Sequence, residues 1–347
     1  MLLEGLHLPL TTPFYPDGRL NLRKIEHNVE RYSRTPVAGL AVLAENGEGM
    51  LLSDEETRET LATAMTAASE TKVMIAGVSR GSVAETVKLA EFAASVNYDV
   101  VLVKRPAFLR EDQIREILTF FQAVADRSPL PVILYSILSA PLSVEAVGEL
   151  SSHPNVIGLA DEDSSVERIE RIRSATSKVQ HEVTVTTVFA AVTGRMLAVK
   201  EQEGAATFVS AESLGGGAAV AKAPPKPAIK TRTKSVGFQI LTASSAQMLA
   251  GLRAGTTGAL PGFAACAPQA CYEVYAAWKD DDQPLAEEKQ ARVAPAIAKV
   301  ELELGVPGVR YGSELTGYFG GRPRLPLLPL TEAQKSDVEV LMDGIRN

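Results

Sequence analysis

The sequence predicts an α/β protein folded as a (β/α)8 TIM barrel, with a long insertion between strands six and seven and extra helices at its C-terminal end. Three observations predict it. Short runs of β-branched and aliphatic residues recur, each followed by a polar turn and an amphipathic helical stretch. The runs are apolar throughout, which suits parallel strands covered on both faces. The first six end about 25 to 35 residues apart, the length of a strand–helix unit. Eight such units close a barrel of roughly 250 residues. A doubly wound sheet is the alternative, but no Gly-x-Gly-x-x-Gly follows the first strand, and eight units favour closure.

The strands are expected at His7 to Thr11, Gly39 to Leu43, Lys72 to Val78, Asp99 to Lys104, Pro131 to Tyr135, Val156 to Ala160, Gly237 to Thr242 and Thr257 to Pro261. Helices fill the intervals. Ser53 with Glu56 three residues on makes a capping box, and Ser82 with Glu85 repeats the pattern. Arg110 to Asp126 carries Ile114, Ile117, Leu118, Phe121 and Val124 at helical spacing. Ser143 to Ser151 and Ser165 to Ser174 are shorter helices. The sixth strand, Val156 to Ala160, runs into the acidic turn Asp161-Glu162-Asp163. That turn is either the cap of the next helix or part of a site.

The interval after the sixth strand is more than twice the usual length. Residues 179–235 read as an insertion: His181 to Thr193 is β-prone, while Gly215-Gly216-Gly217 and Pro224-Pro225-Lys226-Pro227 are loop material. A segment this long is a mobile element, a lid over the barrel mouth or an interaction surface. A barrel over residues 1–265 and a helical region over 266–347 are the expected units. The latter holds helices around Gln269 to Trp278, from Leu285 to Leu304, and up to Ile345.

Composition narrows the function. The 347 residues are 46% hydrophobic and 22% charged, enough for a large core. Net charge is -7 and the pI about 5.4. Without a basic run, nucleic acid and membrane are poor partners. Cys266 and Cys271 are too few for a disulfide framework or a four-ligand zinc site, and they read as buried free thiols. No signal peptide and no apolar stretch of about 18 residues is evident. A soluble cytoplasmic protein acting on a small molecule, with no cofactor and no dedicated metal site, is the expectation.

Several segments together resemble the dihydrodipicolinate synthase / N-acetylneuraminate lyase family of class I aldolases. Leu10-Thr11-Thr12-Pro13-Phe14 with Asp17-Gly18 looks like that family's first strand and turn. Ala44-Glu45-Asn46-Gly47-Glu48 looks like its Gly-Thr-Thr-Gly-Glu loop, and Pro131-Val132-Ile133-Leu134-Tyr135 like the strand bearing its catalytic tyrosine. Ala254-Gly255-Thr256-Thr257-Gly258 and Arg322 to Leu330 match as well. The resemblance implies a homo-oligomeric barrel, dimer or tetramer, acting as a lyase or aldolase on a 2-oxo acid or related small carbonyl compound. In the family a lysine forms a Schiff base, an electron sink for the neighbouring carbanion. A tyrosine moves the proton.

The chain departs from that pattern where the lysine belongs: Gly158-Leu159 is followed by Ala160. Glu45 and Asn46 replace the loop hydroxyls. The second tyrosine is missing near Ala107-Phe108, and no arginine follows Tyr135. The candidate catalytic residues are therefore Tyr135, Glu45 and Lys104, the last a lysine displaced to the end of the fourth strand. Asn46, Gly47, Ala160 and Thr242 are the candidate substrate-binding residues. Two alternatives stand beside the aldolase reading. One is a non-catalytic ligand-binding or scaffold homologue. The other is a metal-assisted or hydrolytic barrel enzyme using Glu45 and Tyr135.

Overall fold

Eight parallel strands close on themselves in the computed structural model, which describes residues 1–198 and 229–345. They are β1 (Gly5–Pro9), β2 (Gly39–Val42), β3 (Val73–Gly77), β4 (Val100–Lys104), β5 (Val132–Ser136), β6 (Val156–Asp161), β9 (Gln239–Thr242) and β10 (Gly258–Ala259). The barrel closes where β10 pairs with β1 in parallel, Gly5 opposite Gly258. Each expected strand lies within a few residues of its place. All are short and buried, as the unbroken apolar runs require.

Helices α1 (Leu22–Ser33), α2 (Asp54–Ala67), α3 (Val83–Ser95), α4 (Ile114–Arg127), α5 (Val144–Leu150) and α6 (Val166–Ala175) follow the first six strands. The Ser53–Glu56 capping box is complete. At Ser82 only half of it forms: the side chain accepts from Glu85 N. The helix expected from Arg110 begins at Ile114. Residues 110–112 turn back on themselves through a guanidinium–carboxylate pair between Arg110 and Asp112.

The insertion contains an antiparallel hairpin, β7 (Gln180–Thr186) with β8 (Thr231–Gly237), in register from Gln180 opposite Gly237 to Thr186 opposite Thr231. Val183 and Val185 pack on Leu2, and Lys234 reaches Glu4 at 3.4 Å. Thr193 donates to the Glu70 carbonyl, Gly194 N to Asp99, and Arg195 to the carbonyls of Ala68, Ser69 and Lys72. Every one of these partners lies where the chain enters a strand. The described part of the insertion therefore covers the N-terminal end of the barrel. It is not a lid over the mouth, the opposite end. Residues 199–228, with their glycine and proline clusters, lie outside the described residues.

After β9 and β10 come α7 (Met248–Arg253) and α8 (Pro268–Lys279), the latter packed on β1. The helix expected from Leu285 to Leu304 is two pieces. Helix α9 (Gln283–Ala296) contains Pro295, and a π-helical turn, Ile297–Glu303, continues it. Proline withholds a donor from the helical ladder, and the wider turn accommodates the mismatch. Helix α10 (Gly305–Leu315) follows, unforeseen in the sequence, and α11 (Glu332–Asp343) is the last helix of the described residues. Among the described residues no helix is long and apolar enough to cross a membrane.

One buried group makes stability depend on pH. The His7 ring lies inside the barrel wall opposite Gly39, with Nε2 against the Leu3 carbonyl and Nδ1 without a partner among the described residues. Burial drives its pKa down to about 4. The unfolded chain then binds the proton that the folded one refuses, between about 6.5 and 4. The neutral-His contribution is present above about pH 6.5 and is lost as pH falls towards 4, by about 3 kcal/mol at full effect. Urea titrations of wild type and His7→Gln from pH 7.5 to 4.5 should show the wild type losing stability faster. Parallel curves would sink the assignment.

Candidate active site

The C-terminal ends of the strands form a two-lobed mouth, each lobe a cavity of about 270 Å³. Glu45, Tyr135 and Val306 line both lobes. The first lobe adds Ser79, Arg80 and Lys104. The second adds Asn46, Glu162, Ser244 and Glu301.

Register places the central residues. Lys104 pairs with Tyr135 across β4 and β5, and Tyr135 with Ala160 across β5 and β6. The three sit in one row on adjacent strands. Ala160 is fully buried in the apolar cluster that fills the barrel, with Ile133, Tyr135 and Leu241. A methyl group therefore occupies this position, and the nearest amine in the row is two strands away. Lys104 is half-buried, and its Nζ meets Glu45 Oε2 at 2.7 Å. Glu45 reaches it from the short 3₁₀ turn Glu45–Gly47 that follows β2.

Tyr135 is buried, and its hydroxyl donates to Glu162 Oε1 at 3.1 Å. Glu162 Oε2 accepts from Leu138 N at 2.9 Å, which fixes the carboxyl. Burial pushes the Tyr135 pKa far above its usual value, and the Glu162 and Glu45 carboxylates push it further. Burial also raises Glu162, the Leu138 amide opposing it and Glu45 adding to it. Tyr135 is thus held as a neutral donor beside a carboxylate inclined to take a proton.

The acidic turn after β6 splits into different roles. Asp161 is fully buried and gripped by Arg168 through two contacts of 2.8 and 3.0 Å. It also accepts from Ser164 N, so it braces the turn outside the barrel. Asp163 lies 3.8 Å from Arg168 on the surface. Only Glu162 enters the mouth. The Ser165 N-cap makes no side-chain hydrogen bond. Alternation along the strand carried this signal: Ala160 faces in, Asp161 out, and the next residue in again.

Three expected binding residues, Ala160 in the barrel cluster, Thr242 and Gly47, line neither lobe of the mouth. The Thr242 hydroxyl donates to Thr256 at 3.1 Å and lies against Gly251, on the outer face of β9. Gly47 has its amide on the Ala44 carbonyl and its carbonyl on the Thr12 hydroxyl, leaving neither for a ligand. Asn46 is in the second lobe, tied to the Gly262 carbonyl at 2.9 Å. Glu301, absent from the expected set, is also in that lobe. Among the described residues no three His, Cys, Asp or Glu side chains are grouped to hold a metal ion. The two cysteines are buried, as expected.

Residues 2–198 and 226–344 match the family profile described as the dihydrodipicolinate synthetase family. The chain belongs to that family. It is 26% identical over 347 residues to a 4-hydroxy-tetrahydrodipicolinate synthase of Acidiphilium cryptum, covering 99% of each chain. It is 31% identical to an N-acetylneuraminate lyase of Rhizobium meliloti over 177 residues, 50% of this chain and 59% of that one. The dihydrodipicolinate synthase structure from Bacillus anthracis superposes with a TM-score of 0.78 at 18% identity, covering both chains fully. The N-acetylneuraminate lyase structure from Mycoplasma synoviae does so at 0.74 and 17% identity, covering 99% and 97%. These two likenesses show the shared barrel. In this dihydrodipicolinate synthetase family member, the row bearing Tyr135 carries Ala160 on one side and Lys104 on the other.

Proposed function

We infer that this family member is a lyase of the aldolase type, acting on a 2-oxo acid or related small carbonyl compound with Lys104 as its amine. The observation that carries the reading is the Lys104–Tyr135–Ala160 row, which sets an amine beside the tyrosine at the mouth. Attack of Nζ on the ketone carbon forms the carbon–nitrogen bond. The ketone oxygen leaves as water with two hydrogens of the ammonium, and the iminium keeps the single positive charge. Glu45 stays its counter-ion throughout, so the pair need not be rebuilt during the reaction. The iminium draws electrons from the adjacent carbon, whose proton passes through Tyr135 to Glu162.

Borohydride reduction with pyruvate or a longer 2-oxo acid, followed by intact mass, tests this. A reduced adduct on the wild type that Lys104→Met abolishes is the expected result. An unmodified mass across a panel of 2-oxo acids overturns the imine. The mouth would then support the ligand-binding reading instead, since Ala160 sits in an apolar barrel interior with nothing nucleophilic of its own.

A further inference from the structure

The second lobe holds a carboxyl group that the proposed reaction does not use. Glu301 comes from the π-helical turn that follows α9, and turns of this type recur at functional sites. Its carboxyl rests over the backbone of Gly262: a Cβ there would lie 2.5 Å from Oε1, so only glycine admits it. The other oxygen, Oε2, is buried and has no hydrogen-bond partner among the described residues. A buried polar atom left unpaired is costly, and one that lines a cavity is satisfied by whatever fills it.

We propose that Glu301 is a specificity-determining residue that presents a carboxylic-acid hydroxyl to a neutral hydroxyl or carbonyl oxygen of the bound compound. It rests on the reading of the mouth as a carbonyl-binding site and names the chemistry of the arm that the second lobe takes. An anionic arm is disfavoured, because Glu162 lines the same lobe. A neutral oxygen instead accepts from Glu301 and is accommodated beside Asn46 and Ser244.

The surroundings support a retained proton. Burial lifts the Glu301 pKa to about 7, the Ser245 hydroxyl pulling it back and the Glu162 carboxylate lifting it again. The other ionisable groups facing this region are Glu45, the Lys104 ammonium, the Tyr135 hydroxyl, and the Cys266 and Cys271 thiols behind it. Lys104 is already neutralised by Glu45. Glu301 thus keeps its hydrogen more readily than a solvent-exposed carboxyl group does.

The test compares hydroxypyruvate with mesoxalate, three-carbon 2-oxo acids that differ by a neutral or an anionic second arm. Ligand-observed NMR on the full chain gives both affinities, in the wild type and in Glu301→Gln, Glu301→Ala and Lys104→Met. Hydroxypyruvate should bind the tighter. Glu301→Ala should weaken it about tenfold, while Glu301→Gln, which keeps an N–H donor, should hold it. Wild-type affinity should fall as pH rises through about 7, and the Glu301→Gln profile should stay flat. Lys104→Met should keep the preference, which separates this proposal from the imine. No binding of hydroxypyruvate, equal affinities in wild type and Glu301→Ala, a flat wild-type profile or a preference for mesoxalate each overturns it.

Discussion

Arg310→Met is expected to remove about 3 to 5 kcal/mol of folding stability, the cost of leaving a buried carboxylate without its partner. Both members of the Glu48–Arg310 pair are sealed from solvent, at 2% and 1% exposure. Arg310 also donates to the carbonyls of Gly320 and Thr12 and lies over the Phe14 ring. Burial opposes its charge, and Glu48 restores it. Glu48 itself is held with φ of 52°, a left-handed backbone that its surroundings must enforce. Pairing Glu48→Gln with Arg310→Met should recover part of the loss. It should not recover all of it, since two carbonyls still lose their donor. The measurement is the urea midpoint at unchanged slope. A loss under about 1 kcal/mol, the size seen for exposed pairs, would contradict a sealed pair.

Tyr135→Phe is expected to slow exchange of the pyruvate methyl protons with deuterated water by about 10²- to 10⁴-fold. Such exchange reports the iminium–enamine step directly, without knowledge of the second substrate. The phenol is neutral, buried and hydrogen-bonded to Glu162, so its removal interrupts the hydrogen-bonded path to that carboxylate. Glu162→Gln should slow exchange similarly, because an amide cannot accept the proton. Lys104→Met should abolish it. If Tyr135→Phe exchanges at the wild-type rate while Lys104→Met does not, water carries the proton and the tyrosine is a structural residue.

The barrel was legible because its cause is local. Apolar runs at strand length, separated by capped helices, leave few ways to bury themselves. The Ser53 capping box was equally local and formed as written. The site was legible only where a family pattern or the strand's own alternation pointed to it. Tyr135 and Glu45 came from the former, and the latter would have separated Glu162 from Asp161. Lys104 and Glu45 lie 59 positions apart, and no pattern along the chain pairs them. Glu301 was hidden within an ordinary helical stretch, because only the π-turn aims it at the mouth. Helix α10 was missed because Gly305, Pro307, Gly308 and Gly312 read as breakers. Two of these glycines serve contact instead: a Cβ at Gly308 would strike the Val300 carbonyl, and one at Gly312 the Cys266 sulfur.

The Arg310 contacts also set an order of events during synthesis. Glu48 leaves the ribosome 262 residues before Arg310, and the Gly320 carbonyl that Arg310 holds follows. Arg324 arrives later still, to clasp the Glu56 carboxylate and the Gly18 carbonyl. Until then the nascent barrel carries a carboxylate destined for the interior and a first turn held only by its own local hydrogen bonds among the described residues. Completion of this fold waits for Arg310 and Arg324, as a zip waits for its slider.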